Sequence, residues 1–321
     1  MFKKFIFEVL LGLLVAVLAY WYFVLNEKFY YMNPEYPMWL EVKNRILLHT
    51  HKRMDLIILG DSRAKADFAP NLLLNKIKSI NLSIGGATPI EGYYTLRRYL
   101  SNNPAPRKIV ISYTPIHLSN SYGIFFSRTV LFDFLEDKEY REVEEVANKF
   151  KDKYILEQHE SYIYYKFPFL YGNYFINGVY NLGWIKNKIM YKECESNKGY
   201  HWFGDKQQAN GLNAEATKKQ FIKSYLYQYY FEKLLDLIKM HHIVAYFYVM
   251  PFNKSSFKVV SQDYVAGYEL YLRNIANKYN MHLCNKVFYM NNTDFGDPSH
   301  LYKGVKKSTF MIYKCIKNQN N

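Results

Sequence analysis

The side chains best suited to chemistry are a serine, a histidine and an aspartate that lie far apart in the chain. The turn Gly60-Asp61-Ser62 directly follows the apolar run at 56–59, and Asp297 and His300 lie near the far end. A serine hydroxyl becomes a nucleophile when a histidine accepts its proton and an acidic group holds that histidine in the right tautomer. The sequence therefore predicts a catalytic triad of Ser62, His300 and Asp297.

The same residues also fit ordinary structural roles. A Gly-Asp-Ser turn after a strand can cap the helix that follows, because Asp and Ser side chains accept hydrogen bonds from exposed backbone N–H groups. Asp297 followed by Pro298 is likewise a good N-cap with proline at the first helical position. The two interpretations are compatible, since a capped turn is a rigid way to present a histidine.

A glycine-bearing segment follows the second apolar run. Residues 81–88 read Asn-Leu-Ser-Ile-Gly-Gly-Ala-Thr. Because Gly86 has no Cβ, a backbone N–H there can approach the negative oxygen that forms on an attacked ester carbonyl. We predict an oxyanion hole built from the N–H groups of Ser62 and Gly86, with an ordinary glycine turn as the alternative interpretation.

These residues need a scaffold that brings distant segments together. Short β-branched or aromatic runs alternate with longer segments of helical periodicity, which is typical of a parallel sheet connected by helices. The predicted strands are residues 55–59, 79–84, 108–112, 243–250 and 281–284, and the predicted helices are residues 91–101, 217–240, 261–279 and 303–317. We expect a doubly wound, mostly parallel α/β sheet, with ligands at the carboxyl ends of its strands, where Ser62, Gly86 and Pro251 fall.

Residues 122–213 interrupt this alternation. The segment is charged around residues 136–153 and dense in tyrosine over residues 162–180. Exposed aromatic rings stack on sugar faces, so the functional interpretation is a cap over the active site. A helical subdomain with an aromatic core explains the same composition.

The N-terminus carries an apolar segment. Residues 5–25 are almost wholly apolar and follow Lys3 and Lys4, which matches the roughly twenty residues that a membrane-spanning helix needs. The positive-inside rule then places the N-terminus in the cytoplasm and the body outside. A signal peptide cleaved after Ala19 is the competing interpretation. We favour an uncleaved single-pass anchor, because apolar residues continue to Leu25.

Composition narrows the classes of function. The 321-residue chain has 42 basic and 28 acidic residues and a net charge of +14, which suits an anionic partner or reflects a bias toward Lys, Tyr, Asn, Ile and Phe. The chain lacks the basic stripe and zinc-finger spacing of nucleic-acid-binding proteins, and its cysteines and remaining histidines lack metal-site spacing. We expect no nucleic acid, no metal and no cofactor, and an exported body would permit one disulfide whose pairing the sequence leaves open.

Taken in order, three segments resemble the SGNH (GDSL-like) hydrolase superfamily. The family's first block is Gly-Asp-Ser after the first strand, its second is a strand ending in Asn-x-Ser-x-x-Gly-x-Thr, and its last is Asp-x-x-His. The matching residues are Gly60, Asp61 and Ser62, then Asn81, Ser83, Gly86 and Thr88, then Asp297 and His300. The resemblance covers residues 55–119 and 243–317 and implies a three-layer fold of the SGNH or flavodoxin-like kind.

The chain departs from that family at the third block. There the family has Gly-x-Asn-Asp after the third strand, and its asparagine completes the oxyanion hole, whereas residues 112–117 of this chain read Ser-Tyr-Thr-Pro-Ile-His. Thr114 and His117 are the candidates to replace that asparagine in the oxyanion hole. The chain lacks this asparagine and has a strand-end Met-Pro at Met250-Pro251. In both respects it resembles the membrane-anchored branch that includes DltD-like and alginate O-acetylation proteins.

The resemblance implies a membrane-tethered, exported serine esterase or O-acyltransferase that acts on acyl groups of a cell-envelope glycan. The partners it implies are a cell-surface glycan or another acylated envelope polymer, the membrane, and a membrane-bound acyl donor protein. The missing asparagine leaves an alternative, a catalytically inactive protein of the same fold that binds glycan or assists an acylation system. The predicted divisions are an anchor (1–28), a juxtamembrane arm (29–54), an α/β domain (55–121 and 214–321) and an insertion or cap (122–213).

Overall fold

The computed structural model describes residues 2–26, 34–119, 124–157, 180 and 182–318. Its first element is helix α1, Phe2–Asn26. The stretch Phe2–Tyr22 is long and apolar enough to cross a membrane. The predicted apolar helix is therefore confirmed, whereas its orientation and the choice between anchor and signal peptide remain predictions.

Within the described residues, five short strands form a central sheet, and two more form a separate parallel ladder. The strands of the central sheet are β1 (Leu56–Gly60), β2 (Ser79–Asn81), β3 (Lys108–Ser112), β4 (Val244–Phe247) and β6 (His282–Leu283). The ladder pairs β5 (Phe252–Asn253) with β7 (Tyr289–Met290). Every residue of β1 and β2 is buried, as expected for strands that are covered on both faces.

The helices that follow α1 fill the connections between these strands. They are α2 (Tyr36–Leu47), α3 (Ser62–Asp67), α4 (Pro89–Asn102), α5 (Ile124–Leu131), α6 (Asp137–Phe150), α7 (Lys153–Leu156), α8 (Gly183–Ser196), α9 (Tyr225–Met240), α10 (Lys254–Val259), α11 (Gln262–Tyr279) and α12 (Val305–Asn318). Short 3₁₀ turns lie at Pro70–Leu73, Pro115–His117 and Asn292–Asp294.

The order of the central strands is β2-β1-β3-β4-β6, and each neighbouring pair is parallel. The chain leaves β1 toward one edge of the sheet and then returns to the other side of β1 at β3, so the strand order reverses between these two strands. Gly60 pairs with Ser112, which places the carboxyl ends of β1 and β3 side by side. The five predicted strands and their parallel arrangement are confirmed.

Apolar side chains pack on both faces of the sheet. Along β1, Ile57 and Leu59 belong to one core cluster, and Leu56 and Ile58 belong to another, because successive side chains of a strand point to opposite faces. The larger cluster includes buried apolar residues of α4, α9 and α11, and the smaller includes Ala64 of α3 and Ile312 and Ile316 of α12. The structure is thus a mixed α/β fold whose parallel sheet is covered by helices on both sides.

Several element boundaries differ from prediction. The helix expected over residues 217–240 begins only at Tyr225, because Ser224 caps it by accepting a hydrogen bond from the N–H of Tyr227 at 3.2 Å. The strand expected over residues 79–84 ends at Asn81. The chain nevertheless continues along β1, since the N–H of Ile84 donates to the carbonyl of Gly60 at 3.0 Å.

Helix α2, in the predicted juxtamembrane arm, is part of the core. Met38, Trp39, Val42 and Ile46 are each at most 1% exposed and join the larger cluster. The helix packs against α4 and α8. The arm is therefore not a spacer outside the folded body.

The insertion at 122–213 splits into parts with different neighbours. Helix α6 packs against α9, and its Glu139 pairs with Arg97 and Arg98 of α4. Helix α8 packs against α2. The tyrosine-dense stretch at 162–179, on which the cap hypothesis drew most heavily, lies outside the described residues.

A disulfide joins Cys284, next to β6, to Cys315 in α12. Cys194 is a free, buried cysteine. The structure therefore selects one of the pairings that the sequence left open, and this bond ties the edge of the sheet to the last helix.

Candidate active site

Ser62 stands at the carboxyl end of β1, as the first residue of α3. A Cβ on Gly60 would lie 1.9 Å from the carbonyl oxygen of Ser112, so only glycine lets β1 approach β3 this closely. Asp61 caps α3 by accepting from the N–H of Arg63 at 2.9 Å, and its other oxygen accepts from the N–H of Thr114 at 2.7 Å. Gly60 and Asp61 thus fix the turn on which Ser62 is presented.

The structure brings the three predicted triad residues together. His300 Nε2 lies 2.8 Å from Ser62 Oγ, and His300 Nδ1 lies 2.8 Å from Asp297 Oδ2. An ionised Asp297 can only accept, so Nδ1 carries the proton and Nε2 is left to accept from the serine hydroxyl. This is the tautomer that a general base requires.

Asp297 is held in its ionised form. Burial raises its pKa, but hydrogen bonds from the ring of His300 and from two backbone N–H groups outweigh burial and lower the pKa. The two N–H groups belong to Ser299, at 2.7 Å, and His300, at 2.8 Å. Asp297 therefore makes the contacts of an N-cap, but it caps a turn and not a helix. The next helix, α12, begins only at Val305.

The loop that carries His300 is fastened to the helix that carries Ser62. The N–H of Leu301 donates to Asp67 Oδ1 at 3.1 Å, and Asp67 is the last residue of α3. The side chains of Leu301 and Phe295 are fully buried beneath the loop. Ser62 and His300 are thus held in place through one short helix, α3, and the loop fastened to its end.

Asn81 of the second block has a structural role. Its amide donates to the carbonyls of Ala64 and Phe68 at 2.9 and 3.0 Å, and its oxygen accepts from the N–H of Ser83 at 3.0 Å. The side chain therefore binds carbonyls at the end of α3 that have no helical partner. Gly86 follows in the left-handed region, with a φ of +78°, which explains the glycine there.

Thr114 and His117 were the possible oxyanion substitutes, and both are almost fully buried. The N–H of Thr114 is bound to Asp61. His117 Nδ1 lies 2.8 Å from the carbonyl of Ala87, so this nitrogen carries the proton, and Nε2 lies 3.9 Å from Asp61 Oδ2. Burial is the main influence on the ring and lowers its pKa, which favours the neutral form. In that tautomer Nε2 has no proton to donate to an oxyanion.

The sequence did not indicate the wall beside the triad. The centroid of the Phe203 ring lies 4.4 Å from the centroid of the His300 ring. A Cβ on Gly204 would lie 2.6 Å from the carbonyl oxygen of Gly296, and the N–H of Lys206 donates to that same carbonyl at 3.1 Å. The last part of the insertion therefore packs directly on the loop of Asp297 and His300.

A buried ion pair holds the segment just after the insertion to α3. The guanidinium of Arg63 donates to the carboxylate of Glu215, and both side chains are at most 5% exposed. Since a buried charge without its partner is costly, this pair fixes residues near 215 beside Ser62. No sequence pattern connected the two residues.

A second ion pair lies near the triad, at Gly86. Arg128 of α5 binds Glu35 with Nε to Oε2 at 2.8 Å and Nη2 to Oε1 at 3.0 Å. A Cβ on Gly86 would lie 2.8 Å from Arg128 Nη1. Neither Glu35 nor Arg128 belongs to a motif that the sequence revealed.

Among the described residues, no group of three or more His, Cys, Asp or Glu side chains could hold a metal ion. The chain matches no protein-family model and no curated protein. The geometry of Ser62, His300 and Asp297 is therefore the main indication of function.

Proposed function

We propose that this protein is an exported, membrane-anchored serine esterase or O-acyltransferase. The observation that carries the proposal is the series of hydrogen bonds from Ser62 to His300 and from His300 to Asp297, each 2.8 Å long. Helix capping explains Asp61 and the turn at Asp297, but it does not require a histidine nitrogen on the serine hydroxyl. Nucleophilic catalysis does require one.

In the proposed reaction, His300 takes the proton of Ser62 while the serine oxygen attacks an ester carbonyl carbon. The electron pair of the C=O bond moves to oxygen, where N–H groups of Ser62 and Gly86 stabilise the charge. The bond to the leaving alcohol then breaks as His300 returns the proton to that alcohol. The acyl group on Ser62 passes to water or to a sugar hydroxyl by the same proton route.

Several features support an SGNH-type fold. The strand order places Ser62 at the point where the order reverses, which is where ligands bind in open parallel sheets. Asn81 and Gly86 follow the strand beside β1, and His300 reaches Ser62 from the last loop before α12. These placements are the ones that the ordered sequence blocks predict.

The proposed substrate is an acylated cell-envelope glycan, or another acylated envelope polymer, outside the membrane. An anchor at α1 would keep the body at the cell surface, and the Cys284–Cys315 disulfide suits an oxidising compartment. The net charge of +14 suits an anionic polymer. Transfer, rather than hydrolysis, would require an acyl donor, and a membrane-bound donor protein is the proposed source.

The test is covalent labelling of the full-length protein in detergent with a fluorophosphonate probe. We expect the wild type to be labelled at Ser62, and Ser62→Ala to lose the label completely. Ser101→Ala is the matched control, because Ser101 is an exposed serine on α4 and its loss should leave labelling unchanged. Circular dichroism of each variant shows whether the fold is intact.

Absence of labelling in folded wild-type protein would count against an active nucleophile. Envelope glycan that binds equally to the wild type and to Ser62→Ala, without turnover of acetyl esters, would then favour the inactive glycan-binding alternative. Labelling that appears only with a membrane-bound partner would favour a role within an acylation complex.

A further inference from the structure

Arg128 lies directly against the glycine that was predicted to form the oxyanion hole. A Cβ on Gly86 would meet Arg128 Nη1 at 2.8 Å and Arg128 Cδ at 3.1 Å. Because Gly86 also has a φ of +78°, a side chain there would be strained as well as obstructed. Glycine at this position lets a guanidinium approach the backbone.

Glu35 fixes the orientation of that guanidinium. One carboxylate oxygen accepts a hydrogen bond from Nη2 of Arg128, and the other forms an ion-pair contact with Nε at 2.8 Å, so Glu35 holds the guanidinium at two points. No hydrogen bond joins Nη1 to another residue in the described part of the chain. Nη1 is the nitrogen that lies nearest to Gly86.

The ion pair lies on the same side of the protein as the proposed base. Burial raises the pKa of Glu35, while Arg128 and then His300 lower it, so the carboxylate lies within electrostatic range of the His300 ring. Contacts also connect the two regions, since Phe203 packs on His300 and a Cβ on Gly85 would lie 3.6 Å from the Phe203 ring. Arg128 and Glu35 are 27% and 34% exposed, so a substrate can reach them.

We propose that Arg128 donates a hydrogen bond from Nη1 to the oxyanion of the reacting ester, and that Glu35 positions it. This inference rests on the proposed serine-nucleophile function and extends it to a residue that the sequence did not indicate. Arg128 takes the role of the missing third-block asparagine. Neither Thr114 nor His117 has to fill that role.

The chemistry of the step favours a cation. As Ser62 attacks and its proton moves to His300, the carbonyl oxygen gains a full negative charge. A guanidinium held in place beforehand stabilises that charge without reorganising during the reaction. Removal of one oxyanion donor typically costs about 10² to 10³ in rate.

The test compares Arg128→Ala and Arg128→Gln with the wild type as full-length proteins in detergent. The substrates are 4-nitrophenyl acetate, which is neutral, and 4-acetoxybenzoate, which carries a carboxylate. We expect Arg128→Ala to lose about 10² to 10³ in kcat on both esters, with KM nearly unchanged. Free guanidinium ion should restore part of the lost rate. Arg141→Ala, at an exposed arginine of α6, is the matched control and should keep full activity.

Glu35 is tested as a positioning residue through a double-mutant cycle. Glu35→Gln should lower kcat less than Arg128→Ala does, and it should have no further effect in an Arg128→Ala background. If the role of Glu35 were merely structural, Glu35→Gln would lower kcat by the same factor in the wild type and in Arg128→Ala. Thermal unfolding of every variant separates loss of fold from loss of chemistry, and Arg128→Gln preserves most of the side-chain volume if Arg128→Ala unfolds.

The outcomes distinguish this inference from the proposed function. If Ser62 of the wild type is labelled by fluorophosphonate and Arg128→Ala reacts at the wild-type rate, the inference is wrong and the proposed function stands. Loss confined to the anionic ester, and seen in KM, would show that Arg128 binds substrate charge instead. If the folded wild type is not labelled, either alone or with a membrane-bound partner, both proposals are wrong.

Discussion

Asp67 connects the two halves of the candidate triad. It is fully buried, its Oδ1 accepts from the N–H of Leu301, and its Oδ2 has no hydrogen-bond partner in the described structure. Burial raises the pKa of Asp67 well above its usual range, against the lowering effects of the Leu301 hydrogen bond and of Arg63. The raised pKa favours the protonated form of Asp67 in the folded protein more than in the unfolded chain.

Replacement of Asp67 by Asn should change how stability depends on pH. A carboxyl whose pKa is raised in the folded state contributes stability that is fully present below its unfolded pKa and is lost as pH rises through the folded pKa. Since Asn does not titrate and still offers an oxygen to Leu301, Asp67→Asn should gain stability relative to the wild type as pH rises above about 4, the ordinary pKa of an aspartate. Urea unfolding at several pH values measures the difference.

Asp236→Asn, at an exposed aspartate of α9, serves as the control and should follow the wild-type pH profile. If the Asp67→Asn profile also ran parallel to the wild type, Asp67 would not be a group with a raised pKa.

Some residues of the candidate site could be predicted from the sequence, and others could not. Ser62, Asp297 and His300 were predicted, because each lies in a short segment whose residue types suit one chemistry. Phe203, Glu35 and Arg128 were not predicted, because they come from the insertion and the arm and meet the triad only through tertiary packing. No local pattern in 30–40 or 120–210 specifies such contacts.

At the scale of elements, the Cys284–Cys315 disulfide joins β6 to α12. Helix α12 covers one face of the sheet through Ile312 and Ile316, which pack in the same cluster as Leu56 and Ile58. Strand β6 is short and lies at the edge of the sheet, so it has few hydrogen bonds of its own. The disulfide therefore fastens this short edge strand to a well-packed helix.

Loss of this disulfide should destabilise the protein. The bond closes a loop between residues 31 apart in sequence, for which a stabilisation of about 2–4 kcal/mol is typical. We expect reductant, or the double substitution Cys284→Ser and Cys315→Ser, to lower the free energy of unfolding by that amount in urea titration. Reductant added to the double variant is the control, and a further effect there would mean that another bond is involved.

The strands were easier to predict than the helix boundaries. Buried strands of a parallel sheet are continuous apolar runs, and runs such as Leu56 to Leu59 have no competing explanation of the same length. The start of α9 was placed too early, because apolar periodicity continues before the Ser224 cap. The pairing of cysteines needed the structure, since three cysteines allow more than one partner for each.

At the scale of the whole molecule, the arm and the body form one hydrophobic core. The ring centroid of Trp39, in α2, lies 5.4 Å from the ring centroids of both Phe132 and Phe134, which follow α5. Met38, Val42 and Ile46 join them in the larger cluster. The division of the chain at residue 54 therefore does not correspond to a boundary in packing.

Two truncations test whether the body needs α2 in order to fold. Removal of residues 1–33 should leave a cooperatively folding protein, because it removes the apolar helix and leaves α2 intact. Removal of residues 1–48 should abolish the cooperative thermal transition, because it exposes the surface that α2 covers, and each buried apolar side chain contributes roughly 1.5–3 kcal/mol. Similar melting curves for the two proteins, followed by circular dichroism, would show that α2 is dispensable.

Glu35 also limits how far the candidate active site lies from the membrane. It follows Asn26, the last residue of α1, by nine positions, and nine residues span at most about 32 Å even when fully extended. With α1 as the proposed anchor, the Glu35–Arg128 pair, and the ester carbonyl that it would serve, must lie within that reach of the outer leaflet. Under the proposed function, a polymer substrate would therefore react close to the lipid surface.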